Sequence, residues 1–169
     1  GLVNPAGSMK SFAATPEDLA KPSIVAALDV EPGTYRLHAA AVDANGRVGS
    51  ADYAIDAQLT NVGPMRMSGL SLFVASATGG MTPKLEFKDD AEVLAYFELY
   101  GTTAGGIAAS VELAETPDGP AIKTETPQLG KMAEAERYSA VAKINIADLK
   151  PGDYVVRASF ALEGMPPSK

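Results

Sequence analysis

The chain has no cysteine, no tryptophan and one histidine, His38. Without cysteine there is no disulfide, no thiol nucleophile and no cysteine metal site, so any core must hold by burial alone. That absence suits the cytosol, and equally a periplasm or cell surface, where a protein free of thiols has nothing to mispair. Positive charge is short too. Against 21 Asp and Glu stand 14 Lys and Arg, and the resulting charge of −7 repels phosphate backbones, which argues against a nucleic-acid partner. No apolar run approaches the roughly 20 residues of a spanning helix, so no membrane span is expected. The opening Gly1-Leu-Val-Asn-Pro5 lacks a basic stretch followed by an apolar one and does not read as a signal peptide. The expectation is a chain cut from something longer, with any signal upstream.

What is present is a repeat. Asp29-Val-Glu-Pro-Gly-Thr-Tyr35 returns as Asp148-Leu-Lys-Pro-Gly-Asp-Tyr154, and each copy leads into a strand-like stretch. A Pro-Gly turn followed by Tyr at a strand start resembles the tyrosine corner of immunoglobulin-like sandwiches, in which the phenol hydroxyl bonds upstream backbone. With 169 residues the chain can bury roughly 70% of its unfolded surface, enough for one or two small domains.

Read along its length, the chain begins with a dozen residues rich in small side chains and without periodicity, expected to be coil. Thr15-Pro16-Glu17-Asp18 offers a capping hydroxyl, a proline at the first helical position and acids near the positive helix end, predicting a short helix that stops before Pro22. Strands are expected over residues 24–30, 35–43 and 47–59, with Asn45-Gly46 supplying positive φ at both central positions of a hairpin turn. Tyr35, Leu37, Ala39 and Ala41 share one strand face, expected to be the buried one. Residues 60–66 read as a linker, placing a partial β unit over 1–60 and a sandwich domain over 64–169. Further strands are expected over 67–76, 84–87, 92–100, 108–114, 121–125, 138–146 and 154–162. Residues 129–136, helix-favouring but lying between strands, read as loop. Residues 92–100 form the most apolar stretch, with Val93, Ala95, Phe97 and Leu99 on one face, and are expected to be central.

The fold class is therefore all-β: an antiparallel sandwich of immunoglobulin or fibronectin-III type, one nearly complete unit preceded by a partial one. The first corner has too few strands before it, and the second has no clear strand after it, the chain closing on Gly164-Met-Pro-Pro-Ser-Lys169. Either residues 1–60 lend strands to the second unit, or a piece is missing at each end, leaving a sheet edge open to self-association.

Gly33-Thr-Tyr-Arg-Leu-His-Ala-Ala-Ala-Val-Asp-Ala-Asn-Gly-Arg-Val-Gly-Ser50, Met67-Ser-Gly-Leu70, Ala95-Tyr-Phe-Glu-Leu-Tyr-Gly101 and Leu149-Lys-Pro-Gly-Asp-Tyr-Val-Val-Arg-Ala158 together carry a family likeness. They resemble the region that follows the von Willebrand factor A-related domain in secreted acidobacterial proteins. The resemblance implies a secreted, periplasmic or surface location, with other domains of a parent protein or another envelope protein as partners. It implies no metal or ligand at any position here, because the adhesion module itself is absent. The family continues past the second corner into a closing strand before which this chain stops.

Candidate sites are few. His38 lies on the strand face opposite Tyr35 and Leu37, where the second copy has Arg157; with no triad motif nearby it reads as a solvated strand residue, and the chain as non-enzymatic. Asp43 with Asn45, and Asp89-Asp90 with Glu92, raise calcium, but their spacing fits no EF-hand loop and turn chemistry accounts for both. No cofactor or metal is expected. The glycines of 78–80 and 102–106 lack a phosphate loop's lysine and read as turns. That leaves Tyr96, Glu98 and Tyr100 on the face opposite Phe97, a candidate ligand or interdomain surface. The functional reading is an accessory module serving as spacer, scaffold or protein-interaction surface; the alternative is glycan or envelope-ligand binding through that aromatic face.

Overall fold

The computed structural model describes residues 1–20, 24, 26, 28–76, 80–102, 106–133 and 136–162. The described residues are all-β apart from one helical turn, and the chain divides into two units, Gly1–Gln58 and Leu59–Lys169. The expected strand over 24–30 is not formed at residues 24, 26 and 28–30, while Val25 and Ala27 lie outside the described residues. The closing residues 164–169, and most of both glycine turns at 78–80 and 102–106, lie outside them too.

In the first unit β1 (Leu2–Val3) and β2 (Met9–Lys10) occupy the stretch expected to be coil. Pro5-Ala6-Gly7 turns the chain, Gly7 N–H donating to the Asn4 carbonyl at 3.0 Å, and that turn pairs two strands too short to show periodicity. Helix α1 (Pro16–Leu19) forms where expected, closed by a reciprocal capping box between Thr15 and Asp18. β3 (Thr34–Val42) and β4 (Val48–Asp56) make a long hairpin, giving the sheet order β2-β1-β3-β4. The hairpin tip departs from the expected two-residue turn. Only Gly46 takes positive φ, at +79°, and Gly46 N–H donates to Asp43 O at 3.0 Å, so the loop has three residues and ends in a glycine bulge. The Asp43 carboxylate decides this by accepting from the N–H groups of Asn45 and Arg47 at 2.8 and 2.9 Å.

The second unit is a sandwich. β5 (Thr60–Val62) and β6 (Met65–Met67) form a hairpin in place of the expected linker, and Met65 is fully buried. β7 (Ser71–Ala75) and β8 (Met81–Pro83) follow. Residues 84–87, expected as a strand, are irregular: pairing with β7 closes on a last bond from the Lys84 N–H to the Leu72 carbonyl at 3.1 Å, and Leu85 is 88% exposed. β9 (Glu92–Tyr100), β10 (Ile107–Ala114) and β11 (Ala121–Glu125) lie close to expectation. β12 (Gln128–Lys131) replaces the expected loop, because pairing with the next strand overrides its helical propensity. β13 (Arg137–Asn145) and β14 (Val155–Leu162) complete the unit.

One sheet runs β12-β13-β9-β6-β5, with β7 and β8 joined to β9 beside β6; the other runs β11-β10-β14. Phe97, Leu99, Ile144 and Met65 from the first meet Val111 and Phe160 from the second, all fully buried. β9 is central, as its apolar run requires. Gly101 ends it at φ +125°, where a Cβ would stand 2.8 Å from the Pro64 carbonyl oxygen, so only glycine fits.

The two units share more than a sequence repeat. Tyr35 Oη donates to the Glu31 carbonyl at 2.6 Å and Tyr154 Oη to the Lys150 carbonyl at 2.8 Å, the same bond four residues back. The row Lys10-Leu2-Leu37 across β2, β1 and β3 matches Lys123-Leu113-Val156 across β11, β10 and β14. Lys10 Nζ reaches the Asp29 carbonyl, while Lys123 Nζ reaches the Asp148 carboxylate and the Asn145 carbonyl. Even the turns agree, Gly119 N–H donating to Thr116 O at 3.2 Å within Pro117-Asp118-Gly119. Thus β2-β1-β3 repeats β11-β10-β14, and β4 lies where the described residues of the second unit place no strand.

Candidate functional site

Strand alternation on β9 sends Tyr96, Glu98 and Tyr100 to the face away from the core. The edge of β9 changes partner along this stretch: β6 pairs with Leu99 and Tyr100, β7 with residues 94–96. Between the two, the Glu98 backbone is satisfied by a single residue, its N–H donating to Ser68 Oγ at 2.8 Å and its carbonyl accepting from Ser68 N–H at 2.9 Å.

The three predicted residues form one network. Both phenol hydroxyls donate to the Glu98 carboxylate, Tyr96 to Oε1 and Tyr100 to Oε2. Arg137, opposite Tyr100 on β13, clamps the same carboxylate with Nη2 on Oε1 at 2.8 Å and Nε on Oε2 at 3.0 Å. Its guanidinium also lies 5.6 Å from the centre of the Tyr100 ring, and Phe73 meets Tyr96 edge-on at 6.1 Å. Glu98 is buried, 8% exposed, and both tyrosines are half-buried.

The electrostatics follow from that packing. Burial by itself would raise the Glu98 carboxyl, but the bonds from Arg137, Tyr100 and Tyr96 outweigh it and hold the group below the usual range. Burial, then the bond to Glu98, pushes Tyr100 up to about 12 and Tyr96 further in the same direction. A carboxylate accepting four hydrogen bonds has its lone pairs filled. To act as a base it would first have to release Arg137 or a tyrosine. The arrangement therefore ties β9 to β13 and leaves both tyrosines half-exposed.

The remaining candidates are spread apart. His38 Nδ1 pairs with the Asp52 carboxylate across β3 and β4, both side chains about half exposed or more. Asp90 is held by Lys84 at 2.5 Å and Glu92 by Lys143 at 2.7 Å, and the Asp43 carboxylate serves the hairpin tip. Among the described residues no three acids or histidines gather as a cation would need. Sequence reasoning missed Arg137, Ser68 and Asp52. Asp52 was within reach, since it and His38 are equally far from Asn45 at the hairpin tip; the other two depend on pairing between distant strands. No family model matches the chain, and no curated protein or solved structure matches it either.

Proposed function

We propose that the chain is a non-enzymatic accessory region of a larger secreted or cell-envelope protein, built from tandem immunoglobulin-like modules and serving as spacer, scaffold or protein-interaction surface. The observation that carries this reading is recurrence: corner, lysine strut, turn and strand order appear twice. In immunoglobulin lettering, β12, β13, β9 and the β6–β7 pair correspond to D, E, B and A, and β11, β10 and β14 to C′, C and F. β2, β1, β3 and β4 then correspond to C′, C, F and G. The closed Glu98 network supports a mechanical reading of the outer face, because its polar atoms are spent within the sheet.

A glycan array probed with the 169-residue chain, read beside the melting temperature of Tyr96→Ser, tests this. No retained glycan and a lowered melting temperature are expected. A retained glycan lost in Tyr96→Ser at unchanged stability would transfer the function to ligand binding by the aromatic face.

A further inference from the structure

Asparagine occurs four times, and the residue after it decides what its side chain can do. Asn4 precedes Pro5, which has no N–H; Asn61 and Asn145 precede Val62 and Ile146, whose branched side chains crowd the nitrogen beside them. Asn45 differs. It precedes Gly46, whose nitrogen no side chain shields. The pair forms the tip of the β3–β4 hairpin, both residues exposed, and a Cβ built on Gly46 would meet nothing within 4 Å. Water reaches the tip freely.

We propose that Asn45 is a self-modification site, converting to aspartate and isoaspartate, and that the Asp43 side chain governs its rate. In the first step the Gly46 nitrogen attacks Cγ of Asn45: a C–N bond forms and closes a five-membered imide, the Cγ–Nδ2 bond breaks, and ammonia leaves with the Gly46 proton. Water then opens the ring. Cleavage of the new bond gives aspartate, whereas cleavage of the original peptide bond gives isoaspartate, whose main chain runs through Cβ and Cγ. The balance is one water in and one ammonia out. The folded tip opposes the first step, because the Gly46 N–H is already donated to the Asp43 carbonyl at 3.0 Å. The Asp43 carboxylate holds the residues on either side, accepting from the N–H groups of Asn45 and Arg47 at 2.8 and 2.9 Å and from Arg47 Nε at 2.6 Å. Attack must wait for the tip to open, and these bonds make opening rare. The product keeps the tip from closing again. Either form adds a negative charge two residues from Asp43, and isoaspartate lengthens by one carbon a loop whose three residues fit the flanking strands.

The proposal goes beyond the accessory reading and stands apart from it. Incubating the 169-residue chain in mild alkali, with intact mass and peptide maps read over time, tests it. Mass should rise by about one dalton per chain in the peptide that carries Asn45, and more slowly than in a synthetic peptide of residues 41–50. Asp43→Ala should quicken the change about fivefold or more, as the loss of hydrogen bonds of ordinary net strength requires. Asp43→Ser, which restores a shorter acceptor, should fall between, with circular dichroism confirming that each variant keeps its strands. As mass is gained, the Asp43 N–H, bonded to the Arg47 carbonyl at 3.0 Å, should exchange faster. A folded chain that reacts as fast as the peptide overturns the guarding role of Asp43. An Asp43→Ala chain that reacts no faster overturns it too, and a slower one would make the carboxylate a promoter. No mass gain at Asn45 in either chain removes the site.

Discussion

Two sheets of this chain have the same strand order, the same corner bond and the same lysine strut, yet only one of them has a core. In the second unit the inner face of β14 carries Ala158, Phe160 and Leu162, all buried against β9 and β13. Counting from the corner tyrosines, Ala39 stands where Ala158 does and Ala41 where Phe160 does, and both are exposed. The difference separates what is local from what is not. Turn and tyrosine bond are made by residues a few positions apart, so they form whether or not anything covers the sheet, whereas the lysine strut reaches 19 residues along the chain in the first unit and 22 and 25 in the second. Burial needs a second layer of side chains from elsewhere in the chain.

The largest expected effect tests that separation directly. Phe160→Ala and Phe97→Ala each open a cavity in a closed core and should cost about 3–5 kcal/mol, read as loss of the second unit's transition in urea. Ala41→Ser, at the position matching Phe160, should stay within about 0.5 kcal/mol, because nothing packs on it. Equal effects at 41 and 160 would mean that the first sheet is covered in solution.

A smaller effect belongs to the outer face of β9. Glu98→Gln removes the charge that Arg137 clamps and to which both tyrosines donate; with the groups partly reached by solvent, the loss should be about 2 kcal/mol by thermal or urea unfolding. Its pH dependence has a definite sign. The folded carboxyl lies below its unfolded value of about 4.3, so its contribution is complete above that pH and is lost as pH falls through the lowered folded value. Tyr96 and Tyr100 are shifted upward, so what they contribute is present below about pH 10 and is lost as pH rises above it. Stability of the second unit should thus fall at both extremes, and Glu98→Gln should flatten the acid limb. An unchanged acid limb in that variant would show that other carboxylates set it.

Much of this was legible because it is local. The capping box at Thr15, the central place of β9 and both corners follow from residues a few positions apart. Tyr35 and Leu37 are half-buried, but the burial expected of Ala39 and Ala41 on the same face was misjudged for the complementary reason: alternation identifies an apolar face but not what lies across from it. β12 was hidden by helix-favouring residues that a neighbouring strand overrules, and β1 and β2 by their length. Tyr96, Glu98 and Tyr100 could be placed on one face from alternation alone. Arg137 could not be assigned to them, because the register of β13 against β9 is set across a long excursion of chain that includes β10, β11 and β12.

The corner itself gives the smallest effect and the sharpest form of the comparison. Tyr→Phe keeps the ring and deletes one hydrogen bond to a main-chain carbonyl, a change of about 1 kcal/mol where the bond is shielded and less where water can replace it. Tyr154 packs against the core of the second unit, whereas the ring of Tyr35 lies in a sheet with no buried residue among those described. Tyr154→Phe should therefore shift the urea midpoint of the second unit measurably. Tyr35→Phe should leave that midpoint alone and show itself, if at all, as faster amide exchange near Glu31 and Gly33. Should the two substitutions prove equal, the corner would owe its strength to the bond alone and not to the core behind it, and the apparent kinship of the two units would rest on turn chemistry rather than on a shared sandwich.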